Sequence, residues 1–236
     1  MLFYAPDIAL NLQLPETEAH HCLKVLRMQA GETLRLTDGK GNFYQAEIAE
    51  VHNNRCRVNL LETIHPDRYW KGRIEIALAP TKNIDRMEWF AEKATEIGID
   101  KISLLRCRFS ERKEMPVERI RKIMISAMKQ SEKAWLPELQ TMIDFREFIR
   151  QPFDGQKFIA HCYSDKKISL AQAYRSNENV LTLIGPEGDF SAEEIDLAQA
   201  CGFIPVSLGE SRLRTETAAL TVCQTIHIVN QMNIKL

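Results

Sequence analysis

No stretch of this 236-residue chain approaches the roughly 20 consecutive apolar residues that a membrane-spanning helix needs. The first segment, Met1 to Pro6 followed by Asp7, lacks the basic and then apolar regions of a secretory signal. Both absences lead to the expectation of a cytoplasmic chain with no membrane partner. Cysteine is scarce and scattered, with six thiols at positions 22, 56, 107, 162, 201 and 223 and no C-x-x-C pair. Neither a disulfide framework nor a structural zinc is indicated. The six histidines show no ligand spacing either, so no metal is expected. Glycine and proline, at 10 and 9 residues, are too few for a collagen-like or low-complexity chain.

What is present is ordinary globular material, 44% hydrophobic and 27% charged, long enough for one large domain or a small domain beside a medium one. The net charge is only −1, yet it is unevenly spread. Residues 101–133 hold ten basic side chains (Lys101, Arg106, Arg108, Arg112, Lys113, Arg119, Arg121, Lys122, Lys129 and Lys133) against four acidic ones. Such a run is either a solvated helix face or a surface that tracks phosphates, because a local positive field binds a polyanion whatever the net charge.

Hydrophobic periodicity divides the chain. Residues 1–65 read as mostly β with one helix over Ala19 to Met28, stopped by Gly31. Strands are expected over Glu32 to Thr37, Asn42 to Val51 and Arg55 to Leu61, separated by Asp38-Gly39-Lys40-Gly41 and Asn53-Asn54. The polar stretch 64–72 marks a boundary, giving domains 1–70 and 71–236. Beyond it, strands alternate with helices, the pattern of a parallel α/β sheet. Strands are expected at Ile74 to Ala79, Ile102 to Leu105, Lys157 to Cys162, Val180 to Ile184 and Ile204 to Leu208. Helices are expected at Asn83 to Ile97, Val117 to Lys133, Ser191 to Ala200 and Thr215 to Val229. Ser191 and Glu194 form a capping-box pattern, so Glu194 reads as structural.

Two loops each follow a short buried strand and precede a helix, where open α/β sheets gather ligands. They are Gly185-Pro186-Glu187-Gly188-Asp189-Phe190 and Gly209-Glu210-Ser211-Arg212-Leu213-Arg214. Glycine there either serves a tight turn or leaves bare backbone for a flat ligand. Neither loop matches a diphosphate-binding fingerprint, so a diphosphate cradle is not indicated, and a nucleoside without phosphates stays open beside the commoner reading of a plain strand-to-helix turn.

Leu183 to Ser191, then Val206-Ser207-Leu208-Gly209 and Leu213 to Ala218, resemble the two signature segments of RsmE-type 16S rRNA (uracil-N3)-methyltransferases of the SPOUT class. The resemblance continues through His20-His21-x-x-Lys24-Val25-Leu26-Arg27, Lys93-Ala94-Thr95-Glu96-x-Gly98, and Gln130-Ser131 with Pro137, covering nearly the whole chain in family order. This chain departs from the family at Asp189, where glycine is usual, and at Lys129 and Lys133, where glutamate and arginine are usual.

The resemblance implies an N-terminal PUA-like β-barrel that holds RNA, and a C-terminal parallel-sheet domain tied in a deep trefoil knot. It implies a homodimer that binds S-adenosyl-L-methionine and methylates N3 of the uridine conventionally numbered 1498 in 16S rRNA of the small ribosomal subunit. Cofactor-binding residues are then Leu183, Ile184, Gly185, Pro186, Glu187, Gly188, Leu208, Gly209, Leu213, Thr217 and Ala218. Arg212 and Arg214 are candidates for stabilising the imide anion, and Glu187 or Glu216 for accepting its proton. Glu216 alternatively just favours the positive end of its helix, with Arg214 as its ion partner. Arg27, Arg106, Arg108 and Arg112 are candidate RNA contacts. Competing readings are a tRNA or ribose 2′-O-methyltransferase of the same class, and a non-catalytic RNA-binding assembly factor.

Overall fold

The computed structural model describes residues 1–163 and 166–232, which divide into two compact units. The first comprises Met1–Arg68 together with Ile125–Leu136. In it, β1 (Leu2–Tyr4), β2 (Thr33–Thr37), β3 (Phe43–His52) and β4 (Arg55–Ile64) form a sheet in that order, parallel between β1 and β2 and antiparallel elsewhere. Alternation decides which side chains are interior. Leu34 and Leu36, Ala46 and Ile48, and Cys56 and Val58 all enter one core with Phe3, Ile8 and Leu14. The β2–β3 turn is organised by Asp38, whose Oδ1 accepts the N–H groups of Lys40 and Asn42 while Oδ2 accepts the Tyr44 hydroxyl.

Between β1 and β2 lie α1 (Ile8–Asn11) and α2 (Glu16–His20). The helix expected over Ala19 to Met28 thus starts earlier, and it continues as a π-helical turn over His21–Val25. Its ladder slips when the Leu26 N–H bonds to the carbonyl of His21, five residues back. Arg27 then turns the chain at φ 58°.

The boundary at 68/69 falls inside the polar stretch read from composition. Segment 125–136, assigned by sequence to the second domain, joins the first unit instead. There the Lys129 ammonium meets both oxygens of buried Glu18 at 2.6 and 2.9 Å, and Arg35 pairs with Glu132 at 2.9 Å. Lys129 is therefore a local counter-ion, and its charge is not available to a polyanion.

The second unit, Tyr69–Met124 with Pro137–Leu236, is built on seven parallel strands. In chain order its described elements are β5 (Ile74–Leu78), α3 (Ile84–Ile97), β6 (Lys101–Arg106), α4 (Val117–Gln130, whose last turns lie in the first unit), β7 (Glu138–Asp144), α5 (Phe145–Phe148), β8 (Gln156–Ala160), β9 (Ile168–Ser169), α6 (Leu170–Ala173), β10 (Val180–Ile184), α7 (Ala192–Ala200), β11 (Ile204–Ser207) and α8 (Thr215–Met232). The strand order is β7-β6-β5-β10-β8-β11-β9. β5 and β10 are central and wholly buried, which is why they read as unbroken apolar runs. On one face Ala77, Leu105, Phe145, Ile159, Leu183, Phe190 and Phe203 share a core. β7 and β9 escape the sequence reading because they are edge strands, one half-exposed and one only two residues long. α4 stops at Gln130 rather than Lys133, with Glu132 at φ 50° ending the turn.

Helix α7 begins with the expected reciprocal cap. The Ser191 Oγ accepts the Glu194 N–H, and Glu194 Oε2 accepts the Ser191 N–H at 2.9 Å. Glu194 Oε1 also accepts the Arg108 N–H at 2.8 Å. Asp189, just before this cap, has the positive φ (64°) that makes glycine usual there. Its side chain offsets the strain: Oδ1 accepts the Phe190 N–H at 2.8 Å, and Oδ2 accepts the Cys162 N–H at 2.7 Å, tying the loop after β8 to the loop after β10. Asp189→Ala is expected to lose about 1–3 kcal/mol, from αL strain and two lost acceptors, whereas Asp189→Gly loses only the bonds. Urea midpoints compare the two, and equal losses would assign the whole effect to the bonds.

Candidate active site

Because the strands are parallel, the loops after β5, β10, β8 and β11 all leave the same edge of the sheet. β10 and β11 both flank β8, so the two glycine turns stand one strand apart. They are joined directly: the Thr215 hydroxyl, at the start of α8, donates to the Gly185 carbonyl at 3.0 Å. The turns thus close on one another without any ligand.

The residues predicted to hold a cofactor take different places around this junction. Leu183 is fully buried in the sheet core, so only its backbone can meet a ligand. Ile184, Gly185 and Pro186 are buried, Glu187 and Gly188 are exposed, and Leu208, Leu213, Thr217 and Ala218 are half-buried. The glycines have different reasons. A Cβ on Gly185 would lie 3.0 Å from the Phe190 nitrogen, and one on Gly188 would lie 3.0 Å from the Phe109 Cβ. These two serve the protein's own packing. Gly209 is exposed at φ 124°, and nothing lies within 4 Å of where its Cβ would be, which leaves bare backbone beside open space.

Next to this turn is a cavity of about 600 Å³. Arg212, Arg214 and Glu216 line it from the second loop and α8, and Asp85, Arg86 and Trp89 from α3. Glu216 is buried. Its Oε1 lies 3.8 Å from the Arg86 Nε, and its Oε2, also buried, has no hydrogen-bond partner among the described residues. The cation beside Glu216 is therefore Arg86, not the Arg214 considered from sequence. The other candidate acid, Glu187, is already engaged, because its Oε1 accepts the Lys82 N–H at 2.9 Å. That bond ties the β10 loop to the loop after β5.

Arg86 and Trp89 were not singled out by sequence reasoning. The available signal was their i, i+3 spacing at the start of a helix that directly follows a buried strand. Asn83 sets that start, its Oδ1 accepting the Asp85 N–H at 2.9 Å. Burial pushes the Cys56 and Cys223 thiols up to about 12 and raises that of Cys107, so these three are poor nucleophiles. Among the described residues no cluster of His, Cys, Asp and Glu can hold a metal ion, and no helix is long and apolar enough to cross a membrane.

The basic run is less available than its count suggests. Arg106 is exposed and makes no ion pair among the described residues. Arg108 pairs with Glu193 at 2.9 Å. The guanidinium of Arg112 is committed to carbonyls, donating to those of Thr81 and Lys82. Lys101 and Arg119 likewise have carboxylate partners in Glu75 and Glu88. Arg27, in the first unit, is exposed.

Comparison with known proteins matches this architecture along its length. A family model described as an RNA methyltransferase domain fits residues 68–227, and one described as an RNA methyltransferase PUA domain fits residues 14–61. A crystal structure of a probable rRNA-methyltransferase from Porphyromonas gingivalis is 46% identical, with a TM-score of 0.93 over 98% of each chain. A putative methyltransferase from Legionella pneumophila, solved with bound SAM, is 30% identical with a TM-score of 0.85 over 96% of each chain. Ribosomal RNA small subunit methyltransferase E of Rickettsia conorii is 28% identical over 212 residues, covering 89% of this chain and 86% of that protein. With an RNA methyltransferase domain over most of its length and a PUA domain before it, this chain belongs to the RNA methyltransferase family that includes ribosomal RNA small subunit methyltransferase E.

Proposed function

We propose that this protein transfers a methyl group from S-adenosylmethionine to N3 of a uridine in 16S rRNA of the small ribosomal subunit. The observation that carries the reading is the union of the two glycine turns through the Thr215–Gly185 bond, beside a cavity that gathers two loop arginines and a buried carboxylate. The Legionella relative holds SAM, and the Rickettsia relative is named for the small-subunit RNA. The turns suit an uncharged adenosyl group. Ile184, Pro186, Leu208 and Leu213 supply apolar surface, Gly209 supplies open backbone, and no basic side chain occupies residues 183–188. The wider reading includes a trefoil knot in the second unit, a first unit that holds RNA, and a homodimer working in the cytoplasm.

When bound, S-adenosylmethionine supplies an electrophilic methyl on a sulfonium. What remains for the protein is alignment and proton management. Holding the two reactants in line contributes several kcal/mol through lost translational freedom alone. A uracil N3 that keeps its proton is a poor nucleophile, so the proton has to leave, and Glu187 and Glu216 are the two candidate acceptors. Arg212 and Arg214, both exposed at the cavity, stabilise the imide charge or grip a flanking phosphate. The base must be unpaired or extruded to present its Watson–Crick edge.

Three measurements test the reading. Nucleoside mass spectrometry of rRNA from cells lacking the gene should lose one N3-methyluridine, and a lost 2′-O-methyl group instead would overturn the assignment. Gly209→Val should weaken S-adenosylhomocysteine binding at least tenfold by calorimetry, because its side chain fills the open backbone and strains a positive φ. Arg106→Ala should lower the salt slope of rRNA binding by about 0.7 to 1. Arg112→Ala should leave that slope unchanged and instead loosen the loop whose carbonyls it holds.

A further inference from the structure

The sequence leaves two acids competing for the proton and says nothing about where the base sits. Glu216 is distinguished by burial. Its side chain is only 8% exposed, and its Oε2 has no hydrogen-bond donor among the described residues. An unpaired buried acceptor costs about 1–3 kcal/mol or more if nothing ever meets it, and the macrodipole of α8 accounts for a negative charge there without accounting for the missing donor. Glu216 borders the cavity that also holds Trp89. Trp89 is 42% exposed, which leaves part of its ring open to a flat partner. Arg86, which lines the same cavity, has its Nε 3.8 Å from the other Glu216 oxygen.

We infer that this cavity is the seat of the target uracil, with Trp89 as the surface on which the base stacks, Glu216 Oε2 as the acceptor of the N3 proton, and Arg86 as the positioning residue for that carboxylate. The inference rests on the methyltransferase reading and deepens it. A uracil imide has one N–H between two carbonyls. Oε2 meets the N–H, and the guanidinium groups of Arg212 and Arg214 at the same cavity offer donors to the carbonyls. As the new N3–carbon bond forms, the methyl–sulfur bond breaks with its electron pair remaining on sulfur, and the N3 proton passes to Glu216.

Binding provides a test independent of turnover. The probes are a single-stranded RNA oligonucleotide with one central uridine and the same strand with that base removed, titrated against the full-length protein alongside S-adenosylhomocysteine. The wild type should prefer the uridine strand by about tenfold, the scale of one stacked base. Trp89→Ala should reduce that preference to less than about twofold with S-adenosylhomocysteine affinity unchanged, and Trp89→Phe should keep most of it. A preference that survives in Trp89→Ala, or one absent from the wild type, overturns the pocket. Failure of the wild type to bind S-adenosylhomocysteine would instead sink the methyltransferase reading. For the acid, Glu216→Gln should bind the uridine strand within about threefold of wild type yet methylate at least a hundredfold more slowly at neutral pH, recovering as pH rises toward ionisation of N3 itself. Arg86→Met should lower kcat at least tenfold with KM for the RNA nearly unchanged, and Arg86→Lys should restore it. An unchanged rate in Glu216→Gln assigns the proton elsewhere, and an unchanged rate in Arg86→Met removes the positioning role.

Discussion

The site depends on one hydrogen bond and the sheet that permits it. Thr215 reaches the Gly185 carbonyl only because β10 and β11 run parallel, with a single strand between them, and open toward the same edge. The bond has structural consequences beyond its net worth of about 1 kcal/mol. It satisfies a carbonyl in a turn where Gly185 is packed against Phe190 with no room for a side chain. It also fixes the first residue of α8, and hence the direction in which Glu216 points.

A second layer of ties holds the neighbouring loops. Glu187 takes the Lys82 N–H, Arg112 holds the carbonyls of Thr81 and Lys82, Asp189 takes the Cys162 N–H, and Glu194 takes that of Arg108. Each joins segments far apart in sequence, and each uses a charged side chain on a backbone group. This explains how irregular segments at a sheet edge stay ordered without regular hydrogen-bond ladders. It also shows why charged residues near a site cannot all be assigned to chemistry. Glu187 is exposed and ties two loops through one oxygen, whereas Glu216 is buried with one oxygen lacking a hydrogen-bond partner among the described residues.

Much of the second unit was legible in the sequence, for a physical reason. Strands buried on both faces, such as Val180 to Ile184, must be apolar throughout, and the turns after them announce themselves by glycine. Edge strand β7 carries no such constraint on its solvent side. Segment 125–136 packs with the first unit through partners more than 90 residues away, Glu18 and Arg35, which no local pattern encodes. The π-helical turn escaped for a related reason, since a one-residue slip in the ladder hardly changes apolar spacing. Arg86 and Trp89 were invisible as site residues because helix periodicity accounts for them without reference to the second loop.

The charge run 101–133 shows where composition misleads most. Ten cations in 33 residues suggest a polyanion track, but a cation's usefulness depends on what it has already met. Lys101, Arg108, Arg119 and Lys129 have carboxylate partners, and Arg112 is spent on carbonyls. Surface pairs such as Arg108–Glu193 are worth at most about 1 kcal/mol and exchange readily with a phosphate. The Lys129–Glu18 pair is mostly buried, and breaking it would strand a carboxylate at several times that cost. The effective field is therefore set by Arg106 and other exposed, unpaired cations rather than by the run as a whole. A surface with so few uncommitted cations can grip only a few phosphates, so most of its charge serves the fold rather than a polyanion.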